Sequence, residues 1–214
     1  VQFVFSPLFE RLWRDLEAPI GRYVRTGFVY DSAFQKIHDR NHAGEIRAQL
    51  LERGARFIVC FFDENSLNRW DITASDDMAA DDYEYLLKWL LSEPTLGIVV
   101  KPKKSTTLFH RLSRIADLLD EARQTGRCLF LTSETLVGGV FPAETALASD
   151  VCIGKLEGAT AALEARLAGV PTVLVDVEGF RSHPFHAWGR GRVVFDDWPT
   201  LRRALEQFRA APTA

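Results

Sequence analysis

The stretch 148–176 combines residue types that can hold a phosphate group. Its apolar run 151–153 is typical of a buried strand, Gly158 lies in the loop that follows, and Thr160 stands where a helix would begin. The first N–H groups of a helix have no partner within the helix and carry about half a positive charge, and glycine lets an anion approach the main chain closely. We therefore expect a phosphate to bind at Gly158, Ala159 and Thr160.

A pair of carboxylates follows the apolar run FIVCFF at 57–62. Asp63 and Glu64 come directly after it, and Asn65 is next. At the end of a strand such a pair can orient a sugar hydroxyl or act in acid/base chemistry, so Asp63 and Glu64 are candidate catalytic residues. The alternative is a turn in which Asp63 and Asn65 cap local backbone groups.

Three lysines follow the next predicted strand, which ends at Val100. Lys101, Lys103 and Lys104 are interrupted by one proline, which stiffens the turn. Phosphate groups in a partly dry cleft need compensating positive charge, and lysine supplies it as a flexible point charge. The pattern predicts phosphate binding by Lys101 and Lys103, with a solvated basic turn as the alternative.

A third loop, residues 178–184, combines charge, hydrogen-bonding groups and an aromatic neighbour. It contains Arg181 and His183 and precedes Phe185. An arginine and aromatic faces suit a sugar or a base, and a histidine can move a proton near neutral pH, so His183 is a third candidate catalytic residue. An exposed histidine without a role is the alternative. His183 and His186 have no third ligand nearby in the sequence, so no metal site is predicted.

The elements that must position these loops alternate along the chain. The predicted strands are 23–29, 57–62, 97–100, 128–131, 151–153, 172–175 and 193–195. The predicted helices are 33–53, 79–91, 108–122, one that begins at Thr160, and 201–208. The acidic residues after Ser75, including Asp81 and Asp82, are typical of a helix N-terminus. The alternation predicts an α/β fold, a Rossmann-like parallel sheet flanked by helices, with ligands at the carboxyl ends of the strands.

The opening segment departs from this pattern. Residues 1–19, which include FSPLFERLWRDL, predict an N-terminal segment or interdomain helix, and residues 20–214 predict the Rossmann-like domain. The sequence begins at Val1 without a methionine and lacks the basic start and cleavage site of a secretory signal. We therefore expect this chain to be a piece of a longer protein.

Composition is that of an ordinary folded domain. A chain of 214 residues with 47% apolar content can form a complete core, and a net charge of -3 does not favour a nucleic-acid partner. No apolar run approaches the ~20 residues that cross a bilayer. Cys60, Cys128 and Cys152 fall in predicted strands without metal-ligand spacing, so we expect buried, reduced thiols and a cytoplasmic location.

These features also carry a resemblance to a known family. Three features occur in order here: the helix start at 158–160, Glu164 one turn later, and an Ala-Gly-Val-Pro sequence before the next strand. They resemble the donor half of GT-B glycosyltransferases. Together with FFDEN at 61–65 and VVKPKK at 99–104, they resemble more narrowly the surface-polysaccharide biosynthesis proteins with that architecture. The resemblance covers roughly residues 20–210.

The resemblance implies a nucleotide-sugar-dependent glycosyltransferase of surface polysaccharide biosynthesis, with this chain as the donor-binding domain. It implies that the helix start faces the donor phosphates, that Glu164 binds the donor ribose, and that Ser133 lies near the nucleotide base. The expected partners are a nucleotide-sugar donor, a carbohydrate or lipid-linked acceptor, and an N-terminal Rossmann-like domain outside this chain. A lipid-linked acceptor fits peripheral contact with the inner membrane face. The nucleotide sugar is a substrate, and no cofactor is expected.

Two alternatives remain at this point. UDP-sugar 2-epimerases share the two-domain architecture and a similar phosphate-binding helix. A non-catalytic nucleotide-binding or assembly module would keep the fold while a partner domain performs the chemistry. The sequence leaves the nucleotide base, the sugar and the acceptor open.

Overall fold

A computed structural model describes residues 1–27, 37, 40–66, 75–132 and 140–211. The chain forms two compact units, Val1–Arg40 and Asn41–Ala214. The division between them lies later in the chain than the boundary at residue 20 that the sequence suggests.

The first unit contains a small parallel sheet. Strand β1 (Gln2–Val4) pairs with strand β2 (Tyr23–Arg25), and helix α1 (Pro7–Asp15) lies between them in sequence. The helix predicted in the opening segment is confirmed. Of the predicted strand 23–29, the structure describes residues 23–27, and only Tyr23–Arg25 form a strand, β2, which pairs with β1 and does not join the main sheet. It ends before Gly27, whose φ of 70° leaves the extended conformation.

The second unit alternates helices and strands. Its elements are α2 (His42–Glu52), β3 (Phe57–Phe62), α3 (Asp76–Ser92), β4 (Leu96–Lys101), α4 (Leu108–Arg111), α5 (Ala116–Gln124), β5 (Cys128–Phe130), α6 (Pro142–Leu147), β6 (Val151–Lys155), α7 (Thr160–Leu167), β7 (Thr172–Val175), β8 (Val194–Phe195) and α8 (Trp198–Ala210). The strands form one parallel sheet in the order β5-β4-β3-β6-β7-β8. The predicted α/β fold is therefore confirmed.

Several helices differ from their predictions; the predicted helix 33–53 is interrupted at Asn41, which has a φ of 52°, and two others differ for the following local reasons. The segment predicted as one helix over 108–122 is divided into α4 and α5 by a 3-10 turn at Ser113–Ile115. Helix α3 begins earlier than predicted because the Ser75 hydroxyl caps it, accepting a hydrogen bond from the N–H of Met78 at 3.1 Å. Helix α6 was not predicted from the sequence; Pro142 opens it.

Strand order reverses between β3 and β6. The chain builds the sheet outward from β3 to β5 and then returns to place β6 on the other side of β3. In open parallel sheets, ligands bind outside the carboxyl ends of the strands at such a reversal. The loops that leave β3 and β6 there are 63–66 and 156–159, which contain the predicted carboxylates and the predicted phosphate-binding glycine.

The central strand is held rigidly. All residues of β3 are buried, as expected for a parallel strand covered on both faces. Phe61 packs edge-to-face against Tyr83 and Trp198, with ring centroids 5.6 and 5.7 Å away. The loop after β3 therefore starts from a fixed point in the core.

The cysteines are structural. Cys60, Cys128 and Cys152 are buried free thiols, as predicted. Burial raises the pKa of Cys128 to about 12, which keeps this thiol protonated at neutral pH. Among the described residues, no helix combines the length and the apolar content that crossing a membrane requires.

Candidate functional site

The loops after β3, β4 and β6 border a cleft of about 290 Å³ at the carboxyl edge of the sheet. Its lining includes most of the residues singled out from the sequence, which are Asp63, Glu64, Lys101, Lys103, Gly158, Thr160 and Glu164. These residues come from three separate stretches of the chain. The parallel sheet brings them together because its strands end at the same edge.

Lys101 places a positive charge in this cleft that forms no ion pair among the described residues. Its half-buried ammonium donates a hydrogen bond to the carbonyl of Pro102 at 3.3 Å. Within the described residues, no carboxylate lies at ion-pair distance from it. Burial lowers the pKa of Lys101, and the more distant charge of Asp63 opposes that shift. A partly desolvated cation without an ion-pair partner favours an anionic ligand.

Glu64 lies against the glycine loop. A Cβ atom added to Gly158 would be 2.1 Å from the Glu64 carboxyl carbon, and Gly158 has a φ of 76°. The Glu64 carboxylate also forms an ion pair with the ammonium of Lys103. Burial raises the pKa of Glu64, while the Lys103 partner lowers it. The carboxylate thus occupies the space above Gly158 where a phosphate is predicted to bind.

Asp63 is held in an internal network that the sequence did not reveal. One of its oxygens accepts hydrogen bonds from the hydroxyl of Tyr83 at 3.0 Å and from the buried Arg111 guanidinium at 3.1 Å. The other accepts from the backbone N–H of Lys103. Burial raises the pKa of Asp63, and the Lys103 amide and Arg111 oppose this. These contacts position the loops after β3 and β4, and the proposed catalytic role of Asp63 remains a prediction.

Arg111 extends this network to the rest of the β3 loop. Its guanidinium donates to the Ser66 hydroxyl at 3.0 Å and to the Glu64 carbonyl at 3.3 Å. Arg111 therefore fixes the backbone that carries Glu64. The sequence contained one indication that Arg111 could be important. It is a charged residue in a segment between two apolar residues, Leu108 and Leu112, which are both buried in the structure.

Glu164 connects the cleft to helix α6. Its Oε1 accepts a hydrogen bond from the N–H of Ala143 at 3.0 Å, in the first turn of that helix. Burial raises the pKa of Glu164, whereas the Ala143 amide and the charge of Lys101 lower it. Within the part of the chain that the structure describes, its second oxygen accepts no hydrogen bond. The predicted contact with a ribose remains a prediction.

The start of helix α7 agrees with the sequence. The helix begins at Thr160, and the preceding Ala159 is buried and supplies no side-chain cap. The N–H of Thr160 donates to the carbonyl of Gly158 at 2.7 Å. The turn is therefore closed by backbone alone, and no side chain of the turn itself caps the helix start.

His183 is not one of the residues that line the cleft. Its Nδ1 accepts a hydrogen bond from the N–H of Phe185 at 3.3 Å, which caps the short helix Pro184–Trp188. Its catalytic role remains a prediction. Ser133 lies outside the described residues, so its predicted place near a base has no structural test.

A cluster of possible metal ligands occurs elsewhere in the described residues. Ligand atoms of Asp176, His186 and Asp196 lie within 4.8 Å of one another. Arg181 pairs with both carboxylates, and Arg190 pairs with Asp196 at 2.6 Å. The chain's own cations therefore already compensate these acids.

A substitution at Gly158 tests whether the space above it belongs to the site. We expect Gly158→Ala to abolish phosphate-ligand binding, because the new methyl group would take the space that Glu64 now fills, and to cost about 1–2 kcal/mol of unfolding free energy from its left-handed backbone. Gly169→Ala is the matched control, since Gly169 has a φ of 89° and open space around its Cβ position. Equal binding by both variants, measured by calorimetry, would exclude Gly158 from the site.

Comparison with known proteins identifies the fold. No protein-family model matches the sequence, and no curated protein matches it. The chain is similar to the crystal structure of the C-terminal CMP-Kdo binding domain of WaaA from Acinetobacter baumannii, with a TM-score of 0.52 and 18% identity over 85% of this chain and 92% of that domain. The two chains share one fold. The predicted Rossmann-like half of GT-B type is thus confirmed as a fold.

A second solved structure is less similar. Sucrose-phosphate synthase from Thermosynechococcus elongatus has a TM-score of 0.46 and 18% identity, over 98% of this chain and 49% of that one. This likeness is too weak to support an argument about the site.

Proposed function

We propose that this chain is the nucleotide-sugar-binding domain of a glycosyltransferase. The observation that carries the proposal is the half-buried ammonium of Lys101, which forms no ion pair among the described residues, in a cleft that also contains Gly158, at the reversal of strand order. Positive charge, close backbone approach and a helix start are the features that bind a nucleotide phosphate. The likeness to a CMP-Kdo binding domain supports the same ligand class and makes a CMP-sugar the first donor to test.

The cleft residues have distinct roles in this proposal. The donor phosphate binds at Gly158, Ala159 and Thr160, Lys101 and Lys103 compensate its charge, and Glu164 contacts the ribose. An acceptor hydroxyl attacks the anomeric carbon of the sugar while the bond from that carbon to the phosphate oxygen breaks. Negative charge then grows on the departing nucleotide, and the lysines stabilise it.

The remaining components lie outside this chain in the proposal. A base from an N-terminal Rossmann-like domain takes the acceptor proton, and the acceptor is a carbohydrate or a lipid-linked carbohydrate in the cytoplasm or at the inner membrane face. Asp63 is engaged by Arg111 and Tyr83, and Glu64 by Lys103, which favours a binding role for this chain. A non-catalytic nucleotide-binding module is therefore the second candidate.

Thermal unfolding with a panel of nucleotides tests the proposal. The panel contains CMP, UDP, CDP and GDP and their sugar conjugates. A ligand at 100 times its Kd adds about 2.7 kcal/mol to the stability of the native state, which for a chain of this size raises Tm by roughly 5–10 °C. We expect such a shift with one base. No shift with any member of the panel at millimolar concentration would contradict the proposal.

Removing the Glu64 carboxylate is expected to strengthen nucleotide binding. Glu64→Gln vacates a negative charge above Gly158 and releases Lys103 for the phosphate, so we expect about a 3- to 10-fold lower Kd, consistent with charge-assisted contacts. Protonation of Glu64 has the same effect in the unmodified chain. Because the pKa of Glu64 is raised above its usual 4.5, affinity should increase as pH falls through that raised value.

A nucleotide sugar is the right ligand for this test, because its phosphates do not titrate between pH 5 and 8 as a terminal phosphate does. Glu121→Gln is the control, since Glu121 is exposed and does not line the cleft. We expect this variant to change Kd less than twofold. A weaker affinity of Glu64→Gln would mean that the ligand needs this carboxylate.

A further inference from the structure

A second, smaller cavity shares a wall with the cleft. Its volume is about 30 Å³, and Asp63 and Glu64 line both spaces. The smaller cavity is also lined by Asp82 from α3, Lys155 from the end of β6, and Glu178 from the loop after β7. The small cavity is thus lined by several carboxylates and one lysine, together with apolar and uncharged polar residues.

Asp82, Lys155 and Glu178 form a buried charged triad. The Lys155 ammonium pairs with Asp82 and, at 2.6 Å, with Glu178, and the three side chains are 7%, 6% and 5% exposed. The indole N–H of Trp198 donates to the other Asp82 oxygen at 2.7 Å. Burial opposes the charge on Lys155, but the two carboxylates raise its pKa overall. With Lys155 and both carboxylates charged, the triad carries one net negative charge.

One oxygen of the triad lacks a partner. Glu178 Oε2 is buried and has no hydrogen-bond partner among the described residues. A buried carboxylate oxygen left without a hydrogen bond costs on the order of 1–3 kcal/mol or more. Glu178 lines the small cavity, and we take this oxygen as the acceptor for a group that enters the cavity.

The size and charge of the cavity define that group. A cavity of about 30 Å³ has room for a water molecule and hence for a hydroxyl, but not for a sugar ring or a phosphate. Net negative charge excludes phosphate and favours a hydrogen-bond donor. A sugar hydroxyl can donate to the Glu178 carboxylate and accept from the Lys155 ammonium.

We infer that Asp82, Lys155 and Glu178 form a subsite for a hydroxyl group of the sugar that the nucleotide carries. The inference rests on the proposed function, because the nucleotide phosphate must occupy the neighbouring cleft. The phosphate lies on the side of Glu64 that carries Lys101 and Lys103, and the sugar extends to the acidic side. Glu178 is a specificity residue in this arrangement, and Asp82 positions it through Lys155.

The substitution Glu178→Gln tests the subsite. It keeps the shape of the side chain and weakens its acceptor, so we expect Kd for a nucleotide sugar to rise about 10-fold, with Kd for the matching bare nucleotide unchanged. Calorimetry with the pairs CMP and CMP-N-acetylneuraminate, UDP and UDP-N-acetylglucosamine, and GDP and GDP-mannose measures both values. Asp81→Asn is the control, because Asp81 precedes Asp82 on α3 but pairs with exposed Arg114.

The outcomes distinguish failure of the sugar subsite from failure of the proposed nucleotide binding. Equal losses for nucleotide and conjugate, or no loss for either, would overturn the subsite and leave nucleotide binding intact. Failure of the unmodified chain to bind any of these ligands would overturn the proposed function and the subsite with it. If Glu178→Gln does not fold, deoxy-sugar conjugates provide the same test on the unmodified chain. Loss of one hydroxyl should raise Kd about 10-fold, and equal affinity for every deoxy analogue would overturn the subsite.

Discussion

Replacing Lys101 by alanine is expected to raise Kd for the nucleotide by about 10- to 100-fold. The ammonium lies in the cleft without a carboxylate partner among the described residues, so its charge is available to the phosphate. Hydrogen bonds to charged groups contribute about 1.5–3 kcal/mol, and each 1.4 kcal/mol is a factor of ten in affinity. Calorimetric titration with the nucleotide that stabilises the native chain most measures this change.

Lys104→Ala is the matched control for this prediction. Lys104 lies in the same basic turn but is exposed and does not line the cleft. Lys104→Ala removes the same charge from the turn and therefore measures the long-range attraction of the turn for an anion, which salt screens. We expect less than a twofold change in Kd, and equal effects of the two substitutions would mean that the turn attracts anions only through its overall charge.

Replacing Arg111 by methionine is expected to lower the free energy of unfolding by about 3–5 kcal/mol, because it leaves the buried Asp63 carboxylate without its charged partner. Both side chains of this pair are only 3% exposed. The substitution also removes the donors to Ser66 and to the Glu64 carbonyl, so the loop after β3 loses its anchor. Urea unfolding measures the change, and nucleotide binding should weaken with it.

Arg114→Met is the control for Arg111→Met. Arg114 also contacts acidic residues, including Asp81, but its side chain is 45% exposed. Exposed ion pairs contribute at most about 1 kcal/mol, so the expected loss is below that value. A loss for Arg111→Met as small as that for Arg114→Met would show that Asp63 does not depend on this partner.

The sheet could be predicted because its strands are short, buried apolar runs. FIVCFF at 57–62 is a strand with the predicted ends, and Thr172–Val175 is another. Local backbone chemistry accounts for one of the differences and distant pairing for another. The 3-10 turn at Ser113–Ile115 interrupts a segment with helical apolar spacing, and the pairing of Tyr23–Arg25 with β1 depends on residues far away in sequence.

The cleft could be predicted in part for a geometric reason. Lys101 ends β4 and Asp63 directly follows β3, so knowledge of the strands placed them at one edge of the sheet. The partners that engage the carboxylates were not evident, because Arg111 contacts Asp63 across a large separation in sequence.

Asp82 is another residue whose partners could not be predicted from the sequence. The sequence suggests an acid near a helix N-terminus, but the structure places Asp82 in the interior of α3, buried against Lys155 and Trp198. Helical spacing shows which face of α3 is apolar, yet it does not show which distant cation meets an acid on that face. The prediction that Asp82 serves the helix dipole is therefore wrong.

The most direct test of the central claim is an NMR titration of the ¹⁵N-labelled chain with a nucleotide sugar from the calorimetry panel. The claim is that the donor phosphate binds at the backbone before helix α7. We predict that the largest amide shifts are those of Gly158, Ala159 and Thr160, with a smaller group in the loop that contains Lys103. Saturable shifts confined to other parts of the chain, or no shifts at millimolar ligand, would contradict the claim.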